Sequence, residues 1–272
     1  MPPIVVILII ILALAAVVVA LVFPGKKKNI DEFLNVRYAH RGLHDAEKAE
    51  NSISAMRAAV EAGYGIELDV RLSKDGKLVV FHDDTLDRVC GREGEVVDFT
   101  AEELATFKLN GTEDGIPTFD EVLEAVDGRV PLLVEIKEKS GDSAVSTATA
   151  ERLSTYEGPF IVESFNPLSV KNASEKLPGI ACGFLSQNFT KKEECKKPLY
   201  FALEHLLLNR LCNPSFIAYR HSHHYMPMLK LTRLLGARTI AWTVRSLEDE
   251  RAAFEHGFDA VIFENYIPEE NK

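Results

Sequence analysis

The sequence predicts an α/β fold, a (β/α)8 TIM barrel with a β-hairpin excursion and small insertion after strand 2, preceded by one N-terminal transmembrane helix. Three observations predict it. Short apolar runs alternate with longer amphipathic stretches, the pattern of a parallel sheet covered by helices. Side chains with chemistry sit at the C-terminal ends of those runs, where such barrels carry their sites. Of 272 residues, the 244 that follow the first 28 are enough for one large domain.

The N-terminal segment is separate in character. Ile4 to Phe23 is a run of twenty apolar residues without a charge. At about 1.5 Å per residue it spans a hydrocarbon core of about 30 Å. A cleaved signal peptide would want a basic leading segment, and Met1-Pro2-Pro3 has no Lys or Arg. The run predicts an uncleaved anchor over residues 1–28 and a soluble domain over 29–272. Lys26-Lys27-Lys28 follow the span and no basic residue precedes it. That asymmetry predicts a single-pass protein of the cell membrane with its body in the cytoplasm. Cys90, Cys182, Cys195 and Cys212 show no close pairing and suggest no disulfide framework.

The strands are predicted at 36–39, 65–71, 131–136, 159–164, 180–185, 215–219, 238–244 and 259–263. Between them the helical pattern falls on 51–62 with Asn51 or Ser52 as cap, 118–126 with Thr118 as cap, 142–156, 166–176, 225–235 and 246–256. Asp75-Gly76 is a two-residue turn signal flanked by apolar arms, so Gly65 to Asp83 reads as a hairpin whose second arm is an antiparallel excursion. The stretch 84–117 breaks the alternation with Gly91, Gly94, Gly111 and Gly115 and holds one short helix near 100–107.

Chemistry gathers at Tyr38-Ala39-His40-Arg41-Gly42, Ile66-Glu67-Leu68-Asp69 and Phe81-His82-Asp83. Side chains alternate along a strand, so Glu67 and Asp69 share a face. A hairpin turning on Asp75-Gly76 alone sets His82 opposite Asp69 on that same face. Buried carboxylates are costly unless a cation neutralises them. Glu135, in the run Pro131 to Lys137, is the third acidic candidate, with Lys137 on its face. Oxygen donors without cysteine suit a hard cation, Mg²⁺ or Ca²⁺. Two histidines, an arginine and a metal are equipment for holding a phosphate and moving protons around it.

Outside the first 28 residues, 28 basic side chains stand against 41 acidic ones, a formal charge of −13. Such a surface repels nucleic acid and argues against a duplex-binding role. Basic groups that matter must be local to a site. His221-Ser222-His223-His224 reads as a solvated loop rather than a metal tract. The Asn172 and Asn188 triplets fit glycosylation sites that a cytoplasmic body would not use, and no Gly-x-Ser-x-Gly elbow surrounds Ser164.

At these residues the chain resembles the glycerophosphodiester phosphodiesterases. The resemblance covers His40-Arg41-Gly42, Glu50-Asn51-Ser52, Glu67-Leu68-Asp69-Val70, Val79 to Asp83, Leu86, Arg88, Ile116-Pro117-Thr118, Glu135-Ile136-Lys137, Ser164-Phe165 and Trp242-Thr243-Val244. It runs from about residue 36 to 265, nearly the whole chain after the apolar segment. It implies hydrolysis of a glycerophosphodiester to glycerol 3-phosphate and an alcohol. It also implies catalytic histidines at His40 and His82, metal carboxylates at Glu67, Asp69 and Glu135, and phosphate-holding side chains at Arg41 and Lys137. Trp242, Ser164 and Phe165 are implied for the substrate pocket, and the insertion is implied to lie beside the barrel mouth. The last strand ends in Phe263-Glu264-Asn265, where the family commonly has an aspartate after threonine or serine.

The expected substrate is a small-molecule glycerophosphodiester, with a lysophospholipid as the alternative. A lysophospholipase D would need an apolar rim, for which Phe189, Leu199, Phe201, Leu206, Leu207 and Leu208 are the candidates. A membrane-tethered sensor that had lost catalysis would lack one of these histidines or carboxylates, and the sequence has them all.

Overall fold

Period-two alternation along short apolar strands sorts side chains into two cores, one inside a ring of strands and one between the ring and its helices. The computed structural model describes residues 1–25, 28–139, 141–190 and 197–268. Lys26 and Lys27 of the predicted basic flank, and Cys195, lie outside them.

Eight strands close the ring: β1 (Arg37–His40), β2 (Gly65–Leu72), β4 (Leu132–Ile136), β5 (Phe160–Ser164), β6 (Cys182–Ser186), β7 (Phe216–Arg220), β8 (Arg238–Val244) and β9 (Ala260–Phe263). They pair in that order, all parallel, and β1 pairs with both β2 and β9. The remaining strand, β3 (Leu78–Val80), runs antiparallel on the outer side of β2. This is the predicted barrel with its excursion.

The helices are α1 (Pro3–Val22), α2 (Ile53–Glu61), α3 (Asp87–Cys90), α4 (Ala101–Ala105), α5 (Phe119–Val126), α6 (Ala144–Leu153), α7 (Pro167–Lys176), α8 (Pro198–Glu204), α9 (Asn209–Cys212), α10 (Pro227–Leu234) and α11 (Leu247–Glu255). Ser52, rather than Asn51, caps α2 by accepting from the Ala55 amide, and Thr118 caps α5 in a reciprocal box with Glu121. Helices α8 and α9 fall in the 187–214 stretch, whose composition gives no clean helical period.

Inside the ring, Tyr38, Leu133, Ile161, Phe216, Ile240 and Ile262 fill the half nearer the strands' N-terminal ends, and Ile30 and Phe33 close it from below. Gly183 pairs with Phe216 across β6 and β7 because the Phe216 ring occupies the space a Cβ would need. Each large apolar side chain buried here contributes about 1.5–3 kcal/mol. The opposite half of the interior holds the charged residues.

The hairpin register differs from the prediction by one residue. Val70 faces Val80, Arg71 faces Val79 and Leu72 faces Leu78. The Ser73 hydroxyl accepts from the Lys77 amide at 3.1 Å and donates to the Lys77 carbonyl, so Lys74, Asp75 and Gly76 together make the turn, with Gly76 at φ +75°. That is a three-residue turn with glycine in the left-handed position, not a two-residue one. Phe81 therefore faces Asp69, and His82 lies past the end of the ladder.

Candidate active site

Register brings the charged side chains together. His40 is the partner of Glu67 across β1 and β2, Asp69 of Glu135 across β2 and β4, and Glu135 of Glu163 across β4 and β5. They gather at one mouth of the ring, where β1, β4 and β5 end and from which β2 runs on into the hairpin. The pocket there is lined by His40, Arg41, Glu67, His82, Glu135, Lys137, Glu163, Phe165, Leu185, Arg220, Trp242, Thr243, Arg245 and Ile262. His82 reaches it although the ladder that was to place it has ended.

One carboxylate oxygen each from Glu67, Asp69 and Glu135 lie within 4.8 Å of one another, and all three residues are buried. Burial first, then the charges of Asp69 and Glu135, push the Glu67 carboxyl well above its ordinary range. Burial raises Glu135 as well, against the pull of Lys137. Asp69 goes the other way: burial opposes it, but Lys137, His82 and Arg41 hold it well below the usual carboxylate range. The Lys137 ammonium lies 3.1 Å from Asp69 and 2.7 Å from Glu135, so one positive charge already sits among them.

These residues fit a divalent cation on two counts. Their donors are all carboxylate oxygens, the set Mg²⁺ and Ca²⁺ prefer. Their charge also suits one: Glu67, Asp69, Glu135 and Glu163 are buried side by side, and Lys137 and Arg41 are shared among them, Arg41 also with Glu50.

Glu163 is absent from the sequence prediction. It is buried inside the barrel, one of its oxygens has no hydrogen-bond partner, and burial followed by the charges of Glu135 and Glu67 raises its carboxyl strongly. Ser164 takes the opposite parity and does not line the pocket. Its hydroxyl donates to the Ile136 carbonyl at 2.7 Å, which corrects its expected place in the substrate pocket. The signal that found Glu135, a charge inside an apolar run, is equally present in Phe160 to Ser164.

The segment Glu50-Asn51-Ser52 supports Arg41 and Asp69. Arg41 adopts a left-handed backbone, φ +59°, a strained state for a non-glycine residue of the kind found at functional sites. Its amide donates to Glu67 at 3.1 Å and its guanidinium donates to Glu50 at 2.7 Å and lies 3.5 Å from Asp69. Asn51 donates to Asp69 at 2.9 Å. From the insertion, Arg88 grips Glu50 and Asp83 together, and Asp83 lies 2.7 Å from Nδ1 of His82. His82 is lowered by burial, with Asp69 and the Asp83 contact acting to raise it.

His40 has a carboxylate on each side, Glu67 at 3.9 Å from Nε2 and Glu264 at 3.6 Å from Nδ1. Burial outweighs both and lowers it to about 4, so the ring is neutral at pH 7. Glu264 also lies 3.6 Å from His44 and pairs with Arg245 at 2.6 Å. Burial would raise its carboxyl, but those partners bring it far below the ordinary range. So the last strand, with glutamate in place of aspartate, does face the first histidine.

Arg220 and Arg245 add two cations that the sequence analysis did not single out. Each is a lone charge at a strand's end, and only the closure of the ring brings it beside Arg41 and Lys137. Trp242 stacks edge-on against Phe165 at 5.5 Å, and its buried Nε1 has no partner. Among the six apolar rim candidates, Phe189 meets Phe165 at 6.0 Å, but Leu206 is buried between strands and helices, and Leu199 and Phe201 face solvent on α8. The histidine tract is not a solvated loop throughout: His223 is buried and accepts from the Asn188 amide, and His224 stacks on His256 at 3.6 Å.

Comparison with known proteins gives a consistent picture. Residues 40–267 match the model of the glycerophosphoryl diester phosphodiesterase family. A glycerophosphodiester phosphodiesterase of Caldanaerobacter subterraneus is 33% identical over 242 residues, covering 82% of this chain and 91% of its own length. Among solved structures, an Oleispira antarctica phosphodiesterase in complex with the product sn-glycerol-3-phosphate superposes with a TM-score of 0.71 at 25% identity, covering 85% of this chain and 94% of that one. The Thermotoga maritima glycerophosphodiester phosphodiesterase superposes with a TM-score of 0.65 at 28% identity, covering 84% and 93%.

Proposed function

The chain belongs to the glycerophosphoryl diester phosphodiesterase family, and on that premise we propose how its residues divide the hydrolysis of a glycerophosphodiester to glycerol 3-phosphate and an alcohol. The activity, phosphoric diester hydrolysis, comes with the family; the roles below are our reading. The observation that carries them is the convergence of three carboxylates within 4.8 Å beside two imidazoles in one cation-rich pocket.

A phosphodiester anion repels nucleophiles, so its charge must be met first. Arg41 offers a planar fork of donors to the phosphoryl oxygens, and Lys137 a compact positive charge. Glu67, Asp69 and Glu135 would hold Mg²⁺ or Ca²⁺, which would supply Lewis-acid polarisation of a phosphoryl oxygen. Groups already in place meet the charge that builds up in the transition state.

His40 is neutral and has Glu264 on its Nδ1 side, which leaves Nε2 to take the proton of the attacking hydroxyl, from water or the substrate's glycerol 2-hydroxyl. His82 has Nδ1 tied to Asp83, which supports the protonated ring and leaves Nε2 to protonate the departing alcohol oxygen. One P–O bond forms as the other breaks, and the protons lost and gained at the two rings balance. Trp242 and Phe165 wall the substrate pocket.

The apolar helix α1 acts as a single-pass anchor over residues 1–28, ahead of the catalytic domain at 29–272. The basic residues after it favour a cytoplasmic body. The test is hydrolysis by the full chain in detergent, with a panel of glycerophosphodiesters and lysophospholipids, with and without chelator. Chelation and Glu67→Gln should each abolish turnover with the fold retained; activity of the folded Glu67→Gln variant at the wild-type rate would refute the assignment.

A further inference from the structure

We infer that α1 is fixed to the closed end of the barrel, so that in a bilayer the pocket opens away from the lipid and takes its substrate from the aqueous phase. The inference rests on the reading of α1 as an anchor and narrows the substrate to a water-soluble, deacylated glycerophosphodiester.

The foot of α1 sits in a built socket. The Val22 carbonyl, in the last turn of the helix, accepts from the Asn209 amide group at 2.9 Å and from the Thr232 hydroxyl at 3.4 Å, and all three residues are buried. These donors come from α9 and from the last turn of α10. The Gly25 amide donates to the Pro214 carbonyl at 2.8 Å, and a Cβ on Gly25 would lie 2.1 Å from the Asn213 carbonyl oxygen. Lys28 then donates to the Ser174 carbonyl and hydroxyl on α7. A segment removed by processing would leave the buried Asn209 amide group without this acceptor, so the socket fits a retained helix.

Every one of these contacts lies at the strands' N-terminal ends. Asn213-Pro214 lead into β7, Thr232 ends the helix that leads into β8, and the Asn35 amide donates to the Asp259 carbonyl just before β9. Ile30 and Phe33 then plug the interior from that side. The pocket is at the other ends of the same strands, on the order of 15 Å away at about 3.3 Å per residue. From Pro3 to Val17 the helix is exposed on the barrel, so only its last turns touch the body.

The two helices that grip the foot are basic. Helices α9 and α10, which hold α1, carry Arg210, Lys230 and Arg233 and no acidic residue, in a chain with formal charge −10. Phe23, Leu211 and Leu234 are exposed beside them, Leu234 at 85%. A lysophospholipid seated in the same bilayer would have to leave it entirely to reach His40 and His82.

The chain has a single tryptophan, Trp242, and it lies in the pocket. The experiment reconstitutes the full chain into vesicles of phosphatidylcholine and phosphatidylglycerol with brominated acyl chains and reads tryptophan emission. Trp242 should keep its intensity, while Phe23→Trp in a Trp242→Phe background should lose at least about half of its own by contact with bromine. Quenching of Trp242 as strong as that of Phe23→Trp would overturn the orientation and leave the anchor standing. Quenching of neither would remove the anchor and the inference with it. In the same vesicles, unbrominated, glycerophosphocholine should be hydrolysed and bilayer-embedded lysophosphatidylcholine should not; comparable turnover of both would overturn the substrate assignment.

Discussion

Arg88 meets Glu50 with both arms of its guanidinium, at 2.8 and 2.7 Å. The same carboxylate holds Arg41 at 2.7 Å, and the remaining Arg88 nitrogen reaches Asp83 at 2.6 Å. One residue of the insertion thus ties the side chain offered to the phosphate to the partner of the second histidine. Arg88→Ala should lower kcat/KM by roughly 100-fold through misplacement of both. Its direct cost in stability should stay within about 1 kcal/mol, because the pair is partly exposed. Arg88→Lys should recover little, since an ammonium cannot reproduce the two-armed contact. Steady-state kinetics beside thermal melts measure this, and wild-type kcat/KM in Arg88→Ala would show the tie to be idle.

The cation-free site predicts a pH dependence of definite sign. Burial and mutual repulsion raise Glu67, Glu135 and Glu163. The folded chain therefore binds protons there that the unfolded chain has released above about pH 4.5. Where the native state holds the extra protons, stability falls as pH rises, until pH passes the raised values. Asp69, held low, works in the opposite sense. Adding Mg²⁺ releases the shared protons, so the rise in Tm it produces should grow between about pH 5 and about pH 8. A calorimetric Tm increment that stays constant across that range would contradict the account.

Glu163→Gln tests whether the unpredicted carboxylate belongs to the cation site. Removing its charge opposite Glu135 should weaken Mg²⁺ or Ca²⁺ binding by roughly tenfold, the usual cost of losing a residue that supports a ligand. It should also stabilise the cation-free chain at high pH, where repulsion is greatest. Titration calorimetry gives the first and denaturant melts in chelator the second; unchanged affinity would confine Glu163 to packing.

Gly183→Ala addresses the lower half of the barrel. The added methyl would lie 2.2 Å from the Phe216 ring. Overpacking of this kind costs about 1–3 kcal/mol. Phe216→Ala should cost about 3–5 kcal/mol from the cavity it leaves. The double variant should cost less than the sum of the two, since the methyl then enters free space.

The strands were readable because each is a short apolar run, most of them ending in a charged or aromatic residue, and their parity placed Glu67, Asp69, Glu135 and Lys137 on one side. What pairing between distant strands decides was not readable. Arg220, Arg245 and Glu264 are isolated charges in the sequence, and only the placing of β7, β8 and β9 around the ring makes the two arginines pocket residues and sets Glu264 beside His40. The hairpin shows the limit at short range. The Ser73 hydroxyl competes for the turn and shifts the ladder by one, which the Asp75-Gly76 signal does not reveal. Glu163 carries the same signal as Glu135, a charge inside an apolar run, and its pairing with Glu135 puts it, rather than Ser164, on the inner face.

His40 and Glu67 are the final Cα partners between the first and second strands. Their neighbours in the site, Glu135 and Glu163, are far along the chain, and Glu264, beside His40, follows the last strand that seals the circle. Closure of the cylinder therefore supplies Glu264, while His40, Glu67, Asp69, Glu135 and Glu163 all come from the adjoining strands β1, β2, β4 and β5. A partial sheet lacking the last strand already holds both imidazoles and the three carboxylates, but it leaves His40 without the carboxylate on its Nδ1 side, so the first ring is fully flanked only when β1 and β9 have met.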